Sequence, residues 1–229
     1  GHVAFAGAAG ARPVPSTPVG VPVGERRILL VDRPGSVQST LRLGHGAPHR
    51  AHPDFVPMTL AGTVLGGAFT SRLNHLLREV RGYTYGIRAD FGLTRRFGSF
   101  VVSAGVQTAV TAPALVDAVA EIARTEADGV TEEELAVARA WRAGQLSVQL
   151  QSPRSIANAL ATLVVHDLPD DYHEKLRAHL LSASPDEVSA AAAAHLSAHG
   201  LTLVVEGDAT AIRDDLAATG LGEVVDIAI

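Results

Sequence analysis

The chain has 229 residues, 47% of them hydrophobic, with no cysteine and a net charge of −5. That length can bury a sizeable core, while the absent cysteines exclude disulfides and thiolate metal sites. Lysine and arginine are scattered, aromatics make up only 4%, and no apolar run approaches the roughly 18 residues of a membrane span, so neither nucleic acid nor membrane is expected as a partner.

Residues 1–24 are rich in Pro, Gly, Ala and Val, the composition of an extended linker or tail joined to something upstream. They lack a basic leader, so no secretory signal is read there and a cytoplasmic location is expected. Residues 25–229 are taken as a single domain. Residues 26–32 (RRILLVD) read as a first strand, Pro34-Gly35 as a turn, and residues 37–43 alternate as a half-buried strand does. A helix is expected over 53–65, with Pro53 or Pro57 near its start.

The stretch 65–89, LGGAFTSRLNHLLREVRGYTYGIRA, organises the rest. Gly66-Gly67 reads as a turn, and Thr70 or Ser71 as the cap of a helix whose Leu73, Leu76, Leu77 and Val80 form one apolar stripe. Arg78 falls off that stripe. Gly82 ends the helix, and residues 83–87 read as a strand on which Tyr83, Tyr85 and Ile87 share a face. Further on, residues 100–106 are a strand paired with 83–91, and residues 112–127 an amphipathic helix ended by Asp128-Gly129. Thr131 with Glu134 makes a capping box for a helix reaching about residue 150. Helices then follow over 152–166, 171–181 and 184–198, a strand over 201–206, a helix over 209–218 and a short strand over 223–227. Adjacent strands on short loops imply antiparallel pairing, so the class is α+β: a mostly antiparallel β-sheet with helices packed on one face.

The string LGG-x-x-x-SRL-x-x-x-LRE-x-x-G-x-x-Y resembles the pitrilysin (insulinase-like) family of zinc metallopeptidases, which includes the mitochondrial processing peptidases and their bacterial relatives. The match is to the half of those enzymes that does not bind zinc. It extends more weakly from about Arg26 to the C-terminus, through VDRPGSVQSTLRLGH, GVTEEEL and LTLVVEGD. The resemblance implies a substrate-binding half that completes a split active site and is inactive alone. Zinc and the H-x-x-E-H motif would belong to a partner half, in the same polypeptide or another subunit. In that family this half supplies an Arg and a Tyr seven residues apart, positions matched here by Arg78 and Tyr85. The resemblance gives Tyr85 the catalytic role of oxyanion donor and Arg78 that of holding substrate carbonyls, both against a peptide. From spacing alone the plainer account, a solvated helix residue and a core aromatic, is the stronger one. Arg72 reads as structural, and Tyr83 lies off the family position. A non-catalytic peptidase-like scaffold or peptide-binding subunit is the alternative function.

No H-x-x-E-H or H-E-x-x-H occurs among the ten histidines, so no metal ligand and no cofactor is assigned to this chain. His195 and His199 are expected one helical turn apart, with Ala198 where a catalytic Glu would be needed. His45, His49 and His52 crowd a Pro- and Gly-containing loop without fixed geometry. Asp170-Asp171 with His173 and Glu174 reads as a helix start, and Glu132-Glu133-Glu134 as a solvated helix N-terminus. No G-x-S-x-G elbow or phosphate-binding loop is present.

Overall fold

Period-two burial along the strands decides where the core lies. In the computed structural model, which describes residues 25–148 and 151–228, six strands form one sheet: β1 (Arg27–Asp32), β2 (Gln38–Ala47), β3 (Ile87–Leu93), β4 (Gly98–Gln107), β5 (Thr202–Gly207) and β6 (Glu223–Asp226). The stretch expected to be a linker, residues 1–24, lies outside the described residues. The strand order is β3-β4-β2-β5-β1-β6. Across it, Ile87, Ala104, Leu41, Val205 and Leu30 form one register row on one face, all buried. The next row, Arg88, Ser103, Arg42, Val204 and Leu29, lies on the opposite face and stays exposed or half-exposed. One apolar face and one wet face require helices on one side only, which is the expected α+β arrangement.

Those helices are α1 (Phe55–Gly62), α2 (Thr111–Asp128), α3 (Glu132–Val148), α4 (Pro153–His166), α5 (Tyr172–Ser182), α6 (Pro185–His195) and α7 (Ala209–Ala218). Their starts follow the local chemistry of the chain. Ser152 and Ser184 cap α4 and α6 through capping boxes followed by Pro, and Thr131 exchanges hydrogen bonds with Glu134 at α3. Gly129, at φ 70°, closes α2 as expected.

The pairing of consecutive strands is where sequence adjacency misleads. β4 pairs antiparallel with β3, as their short connection demands, and antiparallel with β2 on its other side. β1 and β2 do not pair, although only residues 33–37 separate them. β5 lies between, antiparallel to β2 and parallel to β1, and β6 is parallel to β1 on its other side. Five residues easily bridge the roughly 10 Å of two strand spacings, and the bridge is fixed by Arg33 N–H to Gly207 O at 2.8 Å. The β5–α7–β6 crossover thus straddles β1, a split β-α-β unit.

Candidate active site

The site grows out of two helical stretches that precede β3 and pack on it. α1 runs on as a π-helical turn, Thr63–Gly67, so Gly66 and Gly67 lie inside the helix and not in a turn of their own. A Cβ on Gly66 would sit 2.5 Å from Ala89 Cβ and 2.6 Å from Ala89 N, so glycine is what lets this helix lie directly on β3. The next helical stretch is also π-wound, Asn74–Val80, closed by Arg81 N–H to Leu76 O at 3.0 Å. That wider winding corrects the apolar stripe. Leu73 and Leu77 are fully buried and Leu76 packs on the core, but Val80, drawn off the i+7 position, is 61% exposed.

The expected cap at Thr70 or Ser71 is replaced by a side-chain device that sequence reasoning missed. Asn74 is buried, and its Nδ2 donates to Ala68 O (3.2 Å), Ser71 Oγ (3.0 Å) and Ile87 O (2.9 Å), while its Oδ1 accepts from Ile87 N–H (3.2 Å). One amide therefore holds the loop before the helix and the first residue of β3 together. The signal was an Asn amid leucines, a residue poorly suited to a helix interior unless its side chain is engaged.

Of the expected strand over 83–87, residues 83–86 are not strand. Gly82 takes φ 66°, Tyr83 N–H returns to Leu77 O at 2.8 Å, and the chain loops outward before β3 begins at Ile87. The loop is pinned by Thr84 Oγ1, within 2.9 Å of Gly86 O and 2.8 Å of Gly105 O. Tyr83 packs half-buried on the core and Ile87 is buried, but Tyr85, between these anchors, is 97% exposed. The three side chains therefore do not share a face. In a strand Tyr85 would be committed to the sheet; on a pinned loop its phenol is presented to whatever approaches.

Arg78 lies in the π-wound stretch that leads into this loop, the two together being the lip. Its guanidinium carbon lies 4.1 Å from the ring centroid of Phe69, itself 63% exposed, and Nη1 is buried with no hydrogen-bond partner. Stacking fixes the plane of the fork and leaves a donor unspent. No hydrogen bond or ring contact joins Arg78 to Tyr85; what relates them is the backbone closure from Tyr83 to Leu77. Phe69 was not singled out from the sequence. Arg72, by contrast, is structural as expected: Nε and Nη2 bind Glu134 at 2.6 and 2.7 Å, and Nη1 donates to the buried Thr125 hydroxyl at 3.1 Å. These Arg72 bonds, helped by the Thr131 N–H and opposed by partial burial, hold the Glu134 carboxyl down at about 2.

The histidines regroup in a way sequence order hides. α6 ends at His195 because Leu196 turns to extended backbone and buries, so His199 is outside the helix and exposed, not one turn on. His45 is used up: Nδ1 donates to Gly46 O (2.8 Å) and Nε2 accepts from Ser197 N–H (3.3 Å). Burial pushes its pKa below the ordinary value. His52 and His195 instead meet around Asp54. Of the acidic candidates, Asp171 pairs with Lys175 and Glu132 with Arg139.

With this geometry in place, comparison with known proteins identifies the lineage. The profile described as "Peptidase M16 inactive domain" matches residues 5–140, more than half of the chain. The chain belongs to the peptidase M16 inactive-domain family. An uncharacterized zinc protease of Mycobacterium tuberculosis is 31% identical over 150 residues, 64% of this chain and 33% of the relative. The chain thus spans about a third of the length of the curated relatives it matches. Among solved structures, the peptidase M16 inactive domain from Pseudomonas fluorescens superposes with a TM-score of 0.74 at 27% identity, covering 80% of this chain and 44% of that one. An inactive peptidase domain from Bordetella parapertussis has the same fold, with a TM-score of 0.66 at 22% identity, and this chain covers 94% of it. No described helix of this M16 domain is long and apolar enough to cross a membrane.

Proposed function

We propose that this M16 domain is the substrate-binding, active-site-completing half of a zinc metalloendopeptidase and is inactive without its metal-bearing partner half. The observation that carries the reading is the lip itself: an exposed phenol at Tyr85 and a stacked, partly unpaired guanidinium at Arg78, both outside the core. A guanidinium and a phenol are hydrogen-bond donors at neutral pH and not metal ligands, so the ion is expected on the partner half. Zinc supplies there an activated water and a polarised carbonyl.

This chain's own contribution is positional and electrostatic. Arg78 offers the guanidinium donors other than the buried Nη1 to substrate carbonyl oxygens, in an orientation set by Phe69, which lowers the cost of ordering an extended peptide. Tyr85 O–H donates to the oxygen that gains charge when the scissile carbonyl becomes tetrahedral. A hydrogen bond made only then favours the transition state over the bound peptide. Asn74 and Thr84 keep both groups on a fixed lip.

The test is reconstitution with the metal-bearing half and cleavage of an unstructured peptide. Tyr85→Phe is expected to leave assembly intact and lower kcat by roughly 10² or more. Unchanged turnover in an assembled complex would remove the role of the hydroxyl.

A further inference from the structure

We infer that His52, Asp54 and His195 form a divalent transition-metal site, separate from the proposed peptidase lip, that staples the start of α1 to the end of α6. The three residues offer one ligand atom each, all within 4.8 Å of one another. His195 Nε2 is 2.6 Å from Asp54 Oδ2, and His52 Nδ1 is 3.8 Å from the same oxygen. The two imidazoles stand edge to face, their centroids 5.0 Å apart. A tetrahedral ion with bonds of about 2.0–2.2 Å places its ligand atoms roughly 3.3–3.5 Å apart. The Asp54–His195 separation must open and the Asp54–His52 one close, each by less than about 1 Å, and the two imidazole nitrogens, within 4.8 Å, must close by up to roughly 1.5 Å, a freedom that side chains 13–41% exposed have.

The orientation of Asp54 is the second reason. It occupies the N-cap position of α1, where an Asp ordinarily accepts from the first backbone N–H groups, yet its carboxylate makes no such bond. It is turned instead toward His195, the last residue of α6. The His195 Nε2–H fills this short contact by donating to Asp54; the ion would take that hydrogen's place, with the ring carrying its proton on Nδ1. His52 Nδ1 also accepts from the Asp54 N–H at a long 3.2 Å, a bond that ligation through this atom would replace.

Two imidazoles, one carboxylate and an open position suit zinc, cobalt, nickel or copper rather than calcium or magnesium. The Tyr85 loop adjoins the start of β3 through Thr84 and Gly105, whereas the chain leading to Asp54 is tied to the other end of that strand by Arg50 N–H to Thr94 O, roughly 20 Å away, so the cluster does not belong to the Arg78–Tyr85 lip. In a chain without cysteine, the ion would be a cross-link between elements distant in sequence.

The test uses the purified chain, stripped with chelator and titrated with Zn²⁺ by calorimetry and with Co²⁺ by visible absorption. One ion per chain, tetrahedral cobalt bands, and a thermal midpoint raised by roughly 5–10 °C at a hundredfold excess over Kd are expected. His195→Ala and Asp54→Ala should each weaken binding at least tenfold, and His199→Ala should not. His52→Ala changes a half-exposed loop residue, so it keeps the test open should the other two fold poorly. Absence of binding at 100 µM ion, or affinity unchanged in all three ligand variants, would reduce His195–Asp54 to an ordinary ion pair and overturn the site.

Discussion

Glu134→Gln is the sharpest probe of how the lip is supported, because it keeps the side chain's shape and removes only the charge facing Arg72. The folded protein holds the Glu134 carboxyl at about 2 against an ordinary 4.5. At 1.36 kcal/mol per pH unit that difference is worth roughly 3 kcal/mol. The side chain is 32% exposed, and solvent screening reduces the expectation to about 2 kcal/mol. The sign follows from proton binding. Below 4.5 the unfolded chain takes up a proton that the folded chain refuses, so the stabilisation is complete above that pH and lost as pH falls toward about 2. Urea unfolding followed by circular dichroism at pH 7, 4 and 3 should therefore show the variant weaker by about 2 kcal/mol at neutral pH, or roughly 4–8 °C in Tm, with the gap closing in acid. A gap below about 0.5 kcal/mol at pH 7, or one that does not change with pH, would refute the reasoning.

Asn74→Ala leaves the Ile87 N–H and C=O without their partner in a buried place, and should cost about 2–4 kcal/mol; faster hydrogen exchange at the Ile87 amide would locate the damage, and unchanged exchange would argue against it. Gly66→Ala drives a methyl into Ala89, and a loss of about 1–3 kcal/mol by chemical unfolding is expected despite alanine's better helix propensity. Phe69→Ala removes the surface on which Arg78 stacks; in the reconstituted enzyme it should raise KM several-fold with little change in kcat, whereas a pure kcat loss would place Phe69 in the chemistry.

Most of the architecture was legible because the forces that set it are local. The capping boxes at Thr131 and Ser184, the Gly129 terminus and the alternation along β2 and β4 are written in spacings of two to four residues. The family resemblance rested on the string from Leu65 to Tyr85. Misreadings arose where non-local contacts decided the outcome. Tyr83 and Tyr85 have strand propensity, but Gly82, Thr84 and the closure onto Leu77 draw them into a loop. Val80 was placed by an ideal helical period that π winding does not follow.

By itself, the order of residues determined the element sequence, the α+β class and the lineage carried by the string from Leu65 to Tyr85. Only the folded chain decided that β5 wedges between β1 and β2, that Tyr85 faces solvent, and that two histidines 143 positions apart converge on Asp54. Periodicity and capping act within a few residues, whereas strand order and side-chain convergence depend on which distant surfaces bury each other best.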